Sequence, residues 1–274
     1  MRTDVVSRRA GRDRGVLGAL LHHPAGHVFE YHLVGWRRTW WGTVFSSFLL
    51  PVIFLTGIGL GVGGYVNRGH GLGVDYLSYL APGVLASTAL GIAVSESTYR
   101  VYAQFEWDRT YEAMLATPLR VIDLIVGQLA FVVLRALVAV VVFLLVMVGF
   151  GTVHSGWAAA VPVVGVVLAL ACAAPVFAFT AAQQSPSGFA VLQRFLIIPL
   201  QLFSGVFFPV AQLPTVLRPL AYLSPLWHGV QLCRGMTLGS LAPWPSVGHL
   251  AYLAGLAVLG VVLARRLFAR RLVR

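Results

Sequence analysis

Six stretches of the chain are apolar almost without interruption, at residues 42–63, 77–97, 124–149, 157–180, 193–209 and 247–264. Each approaches or exceeds the ~20 residues that a helix needs to cross about 30 Å of hydrocarbon. The fifth is the weakest, because Pro199 interrupts it and its end merges into Phe207, Phe208 and Pro209. Ahead of the first run, Phe29, Leu33, Trp36 and Trp40 recur at helical spacing over 25–40, with Glu30, Arg37 and Arg38 on other faces. That pattern predicts an amphipathic helix lying in a membrane interface. Residues 1–24 are polar and rich in arginine, and no short apolar core follows them as in a secretory signal, so they read as a basic cytoplasmic tail. Between the fifth and sixth runs, 208–246 holds Pro209, Pro214, Pro219, Pro225, Pro243 and Pro245. Prolines end helices, so the apolar pieces 215–223 and 226–236 read as two short helices dipping into the outer leaflet, not as a span. The expectation is an all-α integral membrane protein. It has one domain over 25–274, with six transmembrane helices and a re-entrant helical hairpin between the fifth and sixth.

Composition agrees: 58% of residues are hydrophobic and 11% charged, against about 25% charged in soluble domains. The net charge of +11 would suggest nucleic acid in a soluble protein, but here the charge tracks topology. Seven arginines fall in 1–41, three in 98–123, one at Arg194 and five in 265–274, against Arg68, Arg218 and Arg234 in the alternate loops. Arginine retained on the inner side puts both termini in the cytoplasm of a multi-pass plasma (inner) membrane protein, with no nucleic-acid partner. All 20 basic residues are arginine. Without lysine there is no Walker A phosphate site and no Schiff-base chemistry. The two cysteines, Cys172 and Cys233, show no zinc spacing with histidine, and no metal site is expected. The last acidic residue is Asp123.

Residues 98–123 are the main charged loop. Glu106, Asp108, Arg109 and Glu112 alternate in sign beside Phe105, Trp107 and Tyr111, and Pro118 stops the helix. A short helix with charged and aromatic faces suits docking onto another protein; a solvated connector explains the charges but not the aromatics. Glu96 and Arg135 are one acid and one base in adjacent apolar runs, each costly at a bilayer centre unless paired or wetted. They form either an interspan pair or, for Glu96, a headgroup-wetted span end. Gly57, Gly59, Gly61 and Gly63 make small-xxx-small pairs that permit close helix packing. Phe203, Phe207 and Phe208 either line an amphiphile cavity or pack as an interfacial belt. His228 and His249 stand apart in sequence and read as structural.

Two segments carry a resemblance. Arg-Thr-Tyr-Glu-Ala-Met-Leu-Ala-Thr-Pro-Leu (109–119), followed by Asp123 and Gly127-Gln128, resembles the cytoplasmic loop of ABC type-2 exporter permeases. Gly-Val-Phe-Phe-Pro-Val-Ala-Gln-Leu-Pro (205–214), Pro-Leu-Ala-Tyr-Leu-Ser-Pro-Leu-Trp-His (219–228) and Arg234-Gly235 resemble that family's C-terminal signature. The chain is most similar to permeases exporting nodulation lipo-oligosaccharides, then to daunorubicin-type drug exporters. The resemblance implies a half-transporter that pairs with a second permease subunit and a separate P-loop ATPase, which holds ATP and Mg; this chain needs no cofactor. It implies a coupling helix at 100–116, carried by Gln104, Phe105, Glu106, Trp107, Asp108, Arg109, Thr110, Tyr111 and Glu112. It also implies an outer gate in the 210–236 hairpin, at Leu213, Pro214, Pro219 and Pro225.

The expected function is therefore the permease of an ATP-driven exporter for an amphiphile: a lipid, a glycolipid or a hydrophobic drug. No residue is expected to be catalytic. A proton-coupled secondary multidrug transporter is the alternative, but it would have only Glu96 as an intramembrane carboxylate. A lipid-modifying membrane enzyme lacks its His/Asp/Glu constellation.

Overall fold

The computed structural model describes residues 23–58, 61 and 74–272. The tail 1–22, Arg68, Gly59, Gly63, the end of the first apolar run and Arg274 lie outside the described residues. Every element among the described residues is helical.

Helix α1 (Pro24–Arg37) opens with proline in its first turn and His23 as its cap, the imidazole accepting from the Ala25 amide at 3.3 Å. Then come α2 (Trp40–Ile58) and α3 (Tyr76–Ser97), the latter capped by Asp75, whose carboxylate accepts from the Leu77 amide. An elbow follows, made of α4 (Tyr99–Glu106) and α5 (Thr110–Leu115). Helix α6 (Val121–Gly149) and, after a 3-10 turn at Gly156–Ala160, α7 (Val161–Ala182) are long and apolar. Next are α8 (Ser187–Leu192), a π-turn at Gln193–Ile197 and α9 (Ile198–Phe203). The chain closes with α10 (Arg218–Leu223), α11 (Pro225–Leu238) and α12 (Pro243–Leu272).

Among the described residues, five helical stretches are long and apolar enough to cross a membrane: Trp40–Ile58, Tyr76–Glu106, Val121–Gly149, Gly156–Ala182 and Pro243–Leu272. The sixth run is shorter, Ser187–Phe203, and starts six residues before the expected 193. Pro199 has no amide hydrogen for the carbonyl of Phe195, and the turn just before it widens to π geometry. The chain leaves helix at Ser204, so 204–209 is a turn and not the end of a span.

Helices α3, α6 and α7 form the centre. Alanines 81, 86, 89 and 93 of α3 and 169, 171, 173 and 174 of α7 are fully buried, which lets backbones approach without the hydrophobic drive available in water. Helix α12 lies closest to α7. A Cβ on Gly260 would sit 2.6 Å from the Pro175 nitrogen and 2.7 Å from the Ala174 carbonyl carbon. Gly260→Val is therefore expected to force α12 off α7 and cost about 1–3 kcal/mol or more. The melting temperature of the purified protein checks this.

Candidate functional site

One end of the bundle gathers α1, the elbow, the start of α6, the end of α7 and the end of α12. Helix α3 breaks at Thr98, and the Thr180 hydroxyl donates to the freed Ser97 carbonyl at 2.7 Å. The chain turns again at Arg109, which adopts the left-handed conformation with φ 47°. Between these breaks the elbow is anchored by its aromatic face. Tyr111 is fully buried and donates to the Gln128 amide oxygen; burial pushes its phenol well above the ordinary range, so it remains a neutral donor. Phe105 packs at 4.8 Å from both Tyr111 and Phe268, joining the elbow to α12.

Arg271 locks the same corner. Its guanidinium donates to the Thr180 and Ala181 carbonyls at 3.2 and 3.1 Å, pairs with Glu106, and lies 4.3 Å over the Phe105 ring. It thereby pairs the Ala181 carbonyl at the end of α7 and adds a second donor to the Thr180 carbonyl, which already accepts from the Gln183 amide.

The nine residues of the sequence-based coupling patch divide into two groups. Gln104, Phe105 and Tyr111 are buried anchors. Glu106, Trp107, Asp108, Arg109 and Glu112 are exposed, with Thr110 between, and Trp107 is 64% exposed. The structure thus presents a charged ridge with one large aromatic at its crest.

Glu96 and Arg135 meet directly, and Arg100 adds its Nε to the Glu96 carboxylate at 3.1 Å. One carboxylate between two guanidiniums ties α3, α4 and α6 just behind the elbow.

Helix α1 docks beside this triad, with a rotated inner face. Ala25, Val28 and His32 are buried, while Phe29, Leu33 and Trp36 are only half-buried and Trp40 belongs to α2. The reason is a notch at Gly127, where a Cβ would come within 2.5 Å of the Ala25 carbonyl oxygen and 2.6 Å of Val28 Cβ. His32 stacks on Phe131 at 5.4 Å. Burial first, and the charge of Arg100 second, hold its pKa down to about 4. The unfolded chain takes up that proton near 6.5, so stability is full above 6.5 and is lost as pH falls from there towards 4. The expected loss is on the order of 1 kcal/mol per pH unit, and His32→Phe should flatten that share of the melting-temperature profile.

At the opposite end, short helices fold back on the bundle. Ser224 caps α11 and shares a 2.6 Å hydrogen bond with Ser204. Arg234, 8% exposed, donates to the Tyr79 carbonyl at 3.1 Å and the Gly205 carbonyl at 2.9 Å, and lies 3.7 Å over the Tyr79 ring. His228 and His249, which read as isolated in sequence, face each other with Nδ1 atoms 2.7 Å apart, because α11 folds against α12. Burial and the neighbouring His249 lower His228 to about 4, so it adds to the acid sensitivity with the same sign. Phe203 and Phe208 pack with Leu213 and Ala221 in a small apolar cluster, while Phe207 lies on the main core. Pro214 and Pro219 are exposed and Pro225 half-buried. Gly57 and Gly61 have open space beside them.

Sequence reasoning missed two cavities. One, of about 320 Å³, is walled by apolar side chains that include Leu90, Val94, Cys172, Leu200 and Leu256. Another, of about 450 Å³, lies between α3 and the broken helix and includes Ser95, Gln193, Arg194 and Gln201. Apolar runs name helices but not the gaps between them.

Residues 27–238 match the family profile described as ABC-2 type transporter. The chain belongs to the ABC-2 type transporter family. It is 32% identical over 251 residues to Nodulation protein J of Rhizobium leguminosarum bv. viciae, covering 90% of this chain and 94% of that one. To Nodulation protein J of Rhizobium meliloti (strain 1021) it is 30% identical over 249 residues, covering 89% and 92%. To the protein of that name in Bradyrhizobium diazoefficiens it is 26% identical over 249 residues, covering 90% and 93%. Membership makes this ABC-2 chain a multi-pass membrane component of a transporter. The matched region holds the elbow, the Glu96 triad and the Arg234 corner; α12 with Arg271 lies beyond it.

Proposed function

We propose that this chain is the permease half of an ATP-driven exporter for an amphiphilic substrate, powered by a separate P-loop ATPase docked on the elbow. The carrying observation is the ridge of Glu106, Trp107, Asp108, Arg109 and Glu112, exposed to solvent yet rooted in the core through Phe105 and Tyr111. A rigidly rooted ridge can transmit a push, and an exposed tryptophan among charges is a typical interface anchor. The absence of lysine supports the same division of labour, with ATP and Mg held by the partner.

The arginine distribution supports placing this end, with both termini, in the cytoplasm of the plasma (inner) membrane. The aromatic face of α2, with Trp41 70% and Phe45 62% exposed, is a surface for the second permease subunit. The apolar cavity beside Leu90 and Leu256 suits a lipid, lipo-oligosaccharide or drug tail. The hairpin bearing Leu213, Pro214, Pro219 and Pro225 closes the route outside. ATP-driven closure of the partner pushes the elbows, and the cavity changes its affinity between inward and outward states, which gives transport its direction.

A tag on this chain should co-purify a P-loop ATPase. Changing Glu106, Trp107 and Arg109 together should release it while the permease stays folded. Recovery of a substrate-transporting single polypeptide with no ATPase would overturn the reading.

A further inference from the structure

A cavity of about 660 Å³ lies between α1 and α4, with Glu30, His32 and Arg38 on one wall and Arg100 and Gln104 on the other. Two of these side chains are buried with an atom left over. His32 is 4% exposed and its Nε2 has no partner; Gln104 is 6% exposed and its amide oxygen has none. Buried polar atoms in native proteins are matched; these two are closed to solvent as they stand, and a small turn of either side chain brings it to the cavity it lines. Arg38 is exposed and has no ion-pair partner among the described residues, and Arg100 commits only its Nε to Glu96.

The donors converge on an anion. Two guanidiniums suit phosphate oxygens, a neutral imidazole offers one N–H, and the Gln104 amide offers an NH₂ once turned over. Glu30 in the same wall repels a bare phosphate and accepts an ammonium. The position also matters: α1 is followed at once by Trp40 and Trp41, the residues that mark headgroup depth in a bilayer. We infer that this cavity is a headgroup site for a phospholipid carrying a primary amine, its phosphate between Arg38 and Arg100 and its ammonium at Glu30. The site needs only that α1 lie in the interface, and holds whether or not the elbow binds an ATPase.

The test uses the full chain in nanodiscs of equimolar phosphatidylethanolamine and phosphatidylcholine, re-extracted into detergent, with retained lipids counted by native mass spectrometry. Phosphatidylethanolamine should be enriched about tenfold over phosphatidylcholine, whose quaternary amine cannot donate to Glu30. Arg38→Gln, at an exposed position, should lower its retention about tenfold. Glu30→Gln should abolish the discrimination between the two lipids. Equal retention of both lipids by the parent chain, or retention indifferent to Arg38→Gln, overturns the site. Soluble glycerophosphoethanolamine should displace the retained lipid; binding of that headgroup without retention of the diacyl lipid also overturns it.

Discussion

Glu96→Gln is expected to destabilise the protein by about 3 kcal/mol, the lower end of the cost of breaking a buried ion pair. The carboxylate is 7% exposed and faces two guanidiniums. Arg100 is 44% exposed and recovers its loss from water, but Arg135 is 16% exposed and remains as an uncompensated charge among apolar helices. The melting temperature in detergent should drop, and the double change Glu96→Gln with Arg135→Gln should regain most of it. The triad sits directly behind the elbow, so on the proposed function the surviving Glu96→Gln protein should also hydrolyse ATP with the partner ATPase while moving less substrate per ATP. An unchanged melting temperature together with unchanged coupling would show that the pair holds nothing in place.

Arg234→Leu is expected to be nearly as damaging, for a different reason. Among the described residues the arginine has no acid beside it; its partners are the carbonyls of Tyr79 and Gly205 and the face of the Tyr79 ring. Leucine fills the volume but removes both guanidinium hydrogen bonds, leaving the buried Gly205 carbonyl with only the 3.4 Å bond from the Tyr79 hydroxyl, at a cost of about 1–3 kcal/mol. Arg234→Lys keeps the charge but presents one ammonium where a planar fork spans two acceptors, so it should rescue only in part. Hydrogen exchange at 204–213 reads the effect. Those amides should lose protection in Arg234→Leu well before the amides of α3 and α7 do.

Much of this fold is visible in the chain because lipid is a simple solvent. A helix in hydrocarbon satisfies its own backbone, so long apolar runs name the spans directly. Glu96 and Arg135 are legible for the same reason: charge is so rare in those runs that one acid and one base stand out. The broken helix is less so, because 187–192 is too short and mixed to announce itself, and the expected start fell at 193. The inner face of α1 is set by a notch on another helix, at Gly127, and not by its own periodicity. Arg234 and Arg271 bind main-chain carbonyls, which every residue has, so no spacing signals them. The His228–His249 contact depends on how α11 folds against α12, 21 positions apart, which periodicity within either helix does not encode.

The elbow latch has a consequence for how the chain is made. Every carboxylate lies at or before Asp123, so the second half enters the membrane with no acid of its own. Arg271 finds its one acidic partner among the described residues in Glu106, 165 positions earlier in the chain. The elbow must therefore already stand at the membrane surface when α12 arrives. Two halves expressed as separate fragments should assemble only when the N-terminal one is present first or together with the other. A C-terminal half made alone would leave Arg271 without Glu106 and the end of α12 unlatched, and should be degraded.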